Sequence, residues 1–155
     1  MRIHSIPIIS ALLLAVGLLN CGAATAQALP APLADLVARA RAQIKTIDMA
    51  QFKHALDGNA DLGVIIDVRE PAEFASGHVP GAVNIPRGQI EIAVWPLVGY
   101  PQNTDMAKRM TLVCGSGIRC MLAARSLQEL GFTNVVAVDM KIGEWTKAGY
   151  PLVKD

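Results

Sequence analysis

The chain has 155 residues, a length that suits one domain, and 52% of them are hydrophobic. Its 14 Lys and Arg residues nearly balance 13 Asp and Glu residues, for a formal net charge of +1. So even a balance gives no general pull on nucleic acid or anionic lipid, and charge-driven partners of those kinds are excluded.

Residues 1–28 read as a signal peptide. Arg2 and His4 make a weakly basic start, Ile6 to Leu19 is largely apolar, and small residues follow from Gly22 to Ala28. This is the layout of a secretory signal, with Ala26-Gln27-Ala28 as the expected cleavage site and Ala24-Thr25-Ala26 as the alternative. The apolar run is short for a membrane span and no stop-transfer run follows, so stable membrane insertion after cleavage is not expected. Leu18-Leu19-Asn20-Cys21 resembles a lipoprotein box, although Asn20 stands where that signal prefers a small residue. The expectation is a periplasmic or secreted protein, with a lipid anchor on Cys21 as the alternative. Without residues 1–28 the chain loses Arg2 and no acidic residue, becomes neutral, and keeps only Cys114 and Cys120 as cysteines.

Residues 29–45 form a helical lead-in. Leu33, Leu36, Val37 and Ala40 recur at helical spacing, and Pro32 suits a first helical turn. Ile44 to Ile47 is a short strand candidate. Asp48 and Gln51 have capping-box spacing for a helix that ends near Gly58. Leu62 to Val68 reads as a buried strand, β-branched and free of charge until Asp67. Glu70-Pro71 starts a short helix that Gly77 ends, and Ala82 to Ile85 is a small strand stopped by Pro86. Gln89 to Val98 is a weaker helical stretch interrupted by Pro96.

Met110 to Val113 is a strand that delivers Cys114 to its C-terminal end. The predicted helix Arg119–Leu130 follows, with Leu122, Ala123, Leu127 and Leu130 as its core face. Asn134 to Val138 is the last strand, and Ile142 to Ala148 the last helix. Alternating strands and helices predict an α/β layered domain with a mainly parallel sheet. Asp67 and Cys114 both end strands, so their loops are expected to share one crevice at the C-terminal sheet edge.

Between strand and helix stands Cys114-Gly115-Ser116-Gly117-Ile118-Arg119-Cys120. Two glycines let the backbone curl around the sulfur, and the helix starts at the arginine. The expected result is a ring of N–H groups at a helix N-terminus, which binds anions and lowers a thiol's pKa. Two cysteines do not make a disulfide framework. There is no C-x-x-C, and His54 and His78 lack ligand spacing to either cysteine, so neither a metal site nor a cofactor is expected.

The segments Asp67-Val68-Arg69-Glu70, Glu73-Phe74, Gly77-His78-Val79-Pro80-Gly81-Ala82 and Asn84-Ile85-Pro86 resemble the rhodanese family of sulfurtransferases. So do the C-x-x-G-x-R loop at Cys114 and the ending Trp145 to Pro151. The resemblance covers roughly residues 46–153, within a domain taken as 46–155. It implies a rhodanese-like three-layer sandwich, a mainly parallel central sheet with helices on both faces, and a ping-pong reaction. Cys114 would take the outer sulfur of a donor such as thiosulfate as a persulfide, then yield it to cyanide or a thiol. Small sulfur-containing anions and thiol acceptors, including a protein acceptor, are the implied partners. Gly115, Ser116, Gly117, Ile118 and Arg119 would bind substrate. Arg69 could join them, a salt bridge or loop anchor being its other reading.

Related phosphatases and arsenate reductases place one more residue between the cysteine and the arginine, a wider cradle for a tetrahedral oxyanion. The shorter loop here suits a single sulfur. Two departures concern the donor. Gly115 stands where many thiosulfate-using members carry a basic residue, and Asp139-Met140-Lys141 replaces a common Gly-Gly pair. The larger side chains could narrow the entrance, and Lys141 could supply charge. Cys120 reads as a buried small side chain or as a resolving thiol. His78 reads as structural, and Trp95, Trp145 and Tyr150 as packing residues. The alternative functions are a non-catalytic binding or sulfur-carrier module, and arsenate or phosphate-ester chemistry.

Overall fold

The structure is a computed structural model that describes residues 28–154. Cys21 and nearly all of the signal-like segment lie outside the described residues. Among the described residues, five strands form one sheet: β1 (Lys45–Asp48), β2 (Val64–Asp67), β3 (Ala82–Asn84), β4 (Met110–Val113) and β5 (Val135–Asp139). Their order is β1-β5-β4-β2-β3, and every neighbouring pair is parallel.

Side chains alternate along each strand, so the sheet separates two cores. On one face Ile66, Met110, Leu112, Val135 and Ala137 pack with α4 (Ile90–Ala93) and α5 (Ile118–Glu129), and α1 (Ala31–Gln43) lies against α5. On the other face Ile65, Val113 and Val138 pack with Phe52 of α2 (Met49–His54) and Trp145 of α6 (Ile142–Lys147). These are the three layers that the family resemblance implies. The strands β4 and β5 are covered on both sides and buried on both faces up to Val138, and the one polar side chain among those residues, Thr111, donates to the Leu62 carbonyl at 2.6 Å.

Local signals act as their chemistry requires. The Asp48 carboxylate accepts from the Gln51 N–H at 2.8 Å, and the Gln51 side chain accepts from the Asp48 N–H at 2.9 Å. Beyond α2 a wide turn over Ala55–Asn59 ends the helical run, with Gly58 at φ 88°. In α3 (Pro71–Ala75), Glu73 accepts from the N–H of its N-cap Glu70.

Two expectations change. The stretch from Gln89 to Val98 is not one helix, since a 3-10 turn over Arg87–Gln89 precedes the short α4 and another over Trp95–Val98 follows it. Pro96 has no N–H to continue an α-helical ladder. In α5 the core face is Cys120, Met121, Ala123, Ala124 and Leu127. Leu122 is half-buried on the outer side, and Leu130, just past the helix, is 40% exposed. The face is set by the strands beneath, which take up the first-turn residues Cys120 and Met121.

Beneath the C-terminal sheet edge lies a buried ion pair. Asp67, fully buried, accepts from the Arg69 Nε at 2.9 Å, from its Nη2 at 2.6 Å and from its N–H at 3.0 Å. Arg69 Nη2 also donates to the Gly77 carbonyl at 2.8 Å. The Asn84 side chain donates to the Asp67 and Arg69 carbonyls, both at 2.9 Å, which ties β3 to the loop after β2. An Asp67→Ala variant leaves the guanidinium buried without its carboxylate, and should lose about 3–5 kcal/mol in urea unfolding. A loss below about 1 kcal/mol, the size of an exposed pair, would contradict this reading.

Candidate active site

Cys114 leaves the end of β4 with only 1% of its surface exposed. The chain turns back over it through Gly115, exposed Ser116 and Gly117, the N-cap of α5 at φ 82°. A side chain at Gly117 would be strained in that conformation, and its Cβ would lie 3.2 Å from Asp139 Oδ1. At Gly115 the constraint is space, since a Cβ there would lie 3.0 Å from Arg119 Nη2. The Ile142 N–H donates to the Gly115 carbonyl at 3.0 Å and ties the loop to the start of α6.

The turn aims donors at one sulfur. The Cys120 N–H donates to Cys114 Sγ at 3.3 Å. The Cys120 side chain is the strongest influence lowering the Cys114 thiol, from 9.0 to about 6. N–H groups of Cys120, Ser116 and Gly117 add to it, while burial opposes. The N-terminus of the 12-residue α5 supplies a dipole of the same sign. A thiol lowered this far favours the thiolate at neutral pH, and a thiolate needs no separate base to attack.

Arg119 is committed to a partner that sequence reasoning did not assign. Its Nη1 and Nη2 donate to the two carboxylate oxygens of Glu73 at 2.6 and 2.7 Å. That pairing holds the Glu73 carboxyl down at about 2. Glu73 stands in the quoted Glu-Phe motif, but it is 46 residues from Arg119 and nothing local links them. An arginine at this place can hold an anionic donor or fasten the loop, and this geometry serves loop fastening. Arg69, 3% exposed, turns inward to Asp67 and Gly77, which is the salt-bridge and anchor arrangement.

The remaining candidates are also placed. Ile118 is half-buried at the first position of α5. Lys141 is exposed and paired with Glu144 at 3.0 Å, and Met140 is buried in the second core. His78 stacks on Phe74 with ring centroids 3.6 Å apart, its Nδ1 is 3.2 Å from the Phe74 carbonyl, and its backbone bridges to Val153. Trp145 is buried, donates from Nε1 to the Pro151 carbonyl and meets Tyr150 edge-on. A groove of about 280 Å³ lies along the outer side of α5, lined by Leu36, Arg87, Leu122, Arg125, Ser126 and Glu129. It is apart from the thiol loop, and its arginines are bonded to Glu91, Ser126 and Glu129.

Residues 48–148 match the family model of the Rhodanese-like domain. A putative sulfur carrier protein of Bacillus subtilis is 34% identical over 66% of this chain, and the match spans about half of that protein, 51%. A thiosulfate sulfurtransferase of Pseudomonas entomophila is 29% identical over 66% of this chain and 92% of its own length. Among solved structures, a Rhodopseudomonas palustris protein superposes with a TM-score of 0.66 at 26% identity, covering 83% of this chain and 99% of its own. That protein is described as one of unknown function and a possible tyrosine phosphatase.

The site predicts a thiol that ionises early. Alkylation of Cys114 should rise with pH through a midpoint near 6 and level off above it. A midpoint near the ordinary thiol value of about 8.5 would contradict the donor arrangement. Gly117→Ala should raise that midpoint and cost about 1–2 kcal/mol of stability by thermal unfolding, because the turn must open.

Proposed function

The chain belongs to the Rhodanese-like domain family, and we propose that it is a sulfurtransferase whose Cys114 carries the transferred sulfur as a persulfide. The observation that carries this reading is the buried, low-pKa Cys114 thiolate in its cradle of loop donors. Relatives named as a sulfur carrier and as a thiosulfate sulfurtransferase support it.

The thiolate attacks the outer sulfur of a donor such as thiosulfate. The donor's S–S bond breaks, sulfite leaves with the bonding electrons, and the new bond leaves a persulfide anion on Cys114. An acceptor such as cyanide or a thiol then attacks that outer sulfur, and Cys114 departs as a thiolate. The loop N–H groups stabilise the anion at both ends of the cycle. Because Arg119 is bonded to Glu73, a donor's negative charge falls mainly on these N–H groups and the α5 dipole. That favours sulfane donors of low charge over the thiosulfate dianion. The physiological acceptor is then a small thiol or a thiol on a protein. The pattern of residues 1–28 supports an exported setting for this chemistry.

A sulfur-carrier or binding module is the second reading, favoured by the name of the Bacillus relative. Thiocyanate formation from thiosulfate and cyanide separates the two. The sulfurtransferase reading expects many turnovers per molecule without a partner, and a fall of roughly 10³-fold or more in Cys114→Ser. A single sulfur released per molecule would favour the carrier. Turnover that survives in Cys114→Ser would overturn the assignment of the nucleophile.

A further inference from the structure

The end of β5 presents oxygens to the loop that holds Cys114. At Gly117, the place a Cβ would occupy is 3.2 Å from Asp139 Oδ1 and 3.6 Å from the Met140 carbonyl. The Val138 carbonyl lies 3.4 Å from Cys120 Sγ, one turn further into α5. Gly117 is buried and is the N-cap of α5. A carboxylate therefore packs against the same turn that must hold a negative sulfur. A like charge disfavours ionisation nearby, so this carboxylate calls for a cation.

The cation comes from α1. Arg41, in its last turn, donates from Nη1 to Asp139 Oδ2, a residue 98 positions away. The packing of α1 along α5 brings the two together. The helix spans Ala31–Gln43, outside residues 48–148 that match the family model. At Gly115, the other glycine of the loop, Glu73 Oε1 is 3.6 Å from the place of a Cβ, and Arg119 neutralises that carboxylate. Each glycine of the loop thus has its own carboxylate with its own arginine.

We infer that Arg41 is a positioning residue for the sulfur loop: from a helix outside the family-matched segment, it holds and neutralises the Asp139 carboxylate against Gly117, so that the turn around Cys114 faces no uncompensated negative charge. Arg41 acts through Asp139 and has no part in the bonds that form or break. The lead-in helix is then part of the working site.

Other charged groups surround the turn. Arg119 of α5 faces Cys114, with Glu73 and Glu70 of the α3 turn around it, and Arg69 with Asp67 lies beside Glu73 after β2. Lys141 pairs with Glu144 at the start of α6. Asp48 of β1 is the register partner of Asp139, and its carboxylate accepts from the Gln51 N–H. These groups are the same in Arg41 and Asp139 variants, so their effect cancels when variants are compared.

The inference rests on Cys114 as the reacting thiol, but its test uses no sulfur donor, so the two fail separately. Full-length protein is alkylated across a pH series at low ionic strength, and Cys114 is read in the tryptic peptide Met110–Arg119. Arg41→Gln leaves the Asp139 carboxylate without its cation. It should raise the Cys114 midpoint by about half a unit, a roughly threefold loss of thiolate well below the midpoint. Arg41→Lys keeps a cation and should hold the midpoint near the native value. Asp139→Asn removes the negative charge and should leave the midpoint at or below the native one. The two side chains are 49% and 41% exposed, so the variants should fold and added salt should shrink the rise in Arg41→Gln. An unchanged midpoint in Arg41→Gln would overturn the inference. So would an equal rise in Asp139→Asn, which would mark a loosened turn instead of an unmasked charge.

Discussion

The structure depends on holding one negative sulfur inside a protein that has buried it. Cys114 at the end of β4 is 1% exposed, and burial alone would push its thiol up rather than down. Hydrogen bonds from the Cys120 side chain and from the Cys120, Ser116 and Gly117 N–H groups reverse that. Those donors converge only because Gly117 takes a left-handed turn and α5 begins immediately after it. The surrounding architecture serves to keep this turn closed.

Glu73 shows how few contacts achieve that. One carboxylate accepts from the Glu70 N–H at the start of α3 and clamps Arg119 of α5. The clamp passes over Gly115, where there is little room for a side chain. A basic residue at that position would crowd the Arg119–Glu73 pair. The glycine and the committed arginine are therefore one arrangement, in which backbone N–H groups rather than a guanidinium face the Cys114 sulfur. Below it, Asp67 and Arg69 hold the neighbouring loop from inside the domain.

Much of this was legible in the sequence because the signals are local. The strand before Cys114, the two glycines and the helix after them are contiguous, and the Asp48 cap needs only Gln51. The ordered motifs from Asp67 to Pro86 carried the family. What was not legible depends on contacts across the chain. Nothing near Glu73 announces Arg119, and nothing near Asp139 announces Arg41. Leu130 has the right spacing for a core face but stands past the end of α5, where the strands no longer cover it. The direction of the Cys120 thiol likewise follows from how α5 seats on β5, through the Val138 carbonyl.

The most direct test is the mass of the tryptic peptide Met110–Arg119 after the full-length protein meets thiosulfate or inorganic polysulfide and its thiols are capped. The account predicts one added sulfur on that peptide, lost after cyanide, with the peptide Cys120–Arg125 unchanged. No added sulfur from either donor, or sulfur found on Cys120 instead, would contradict it.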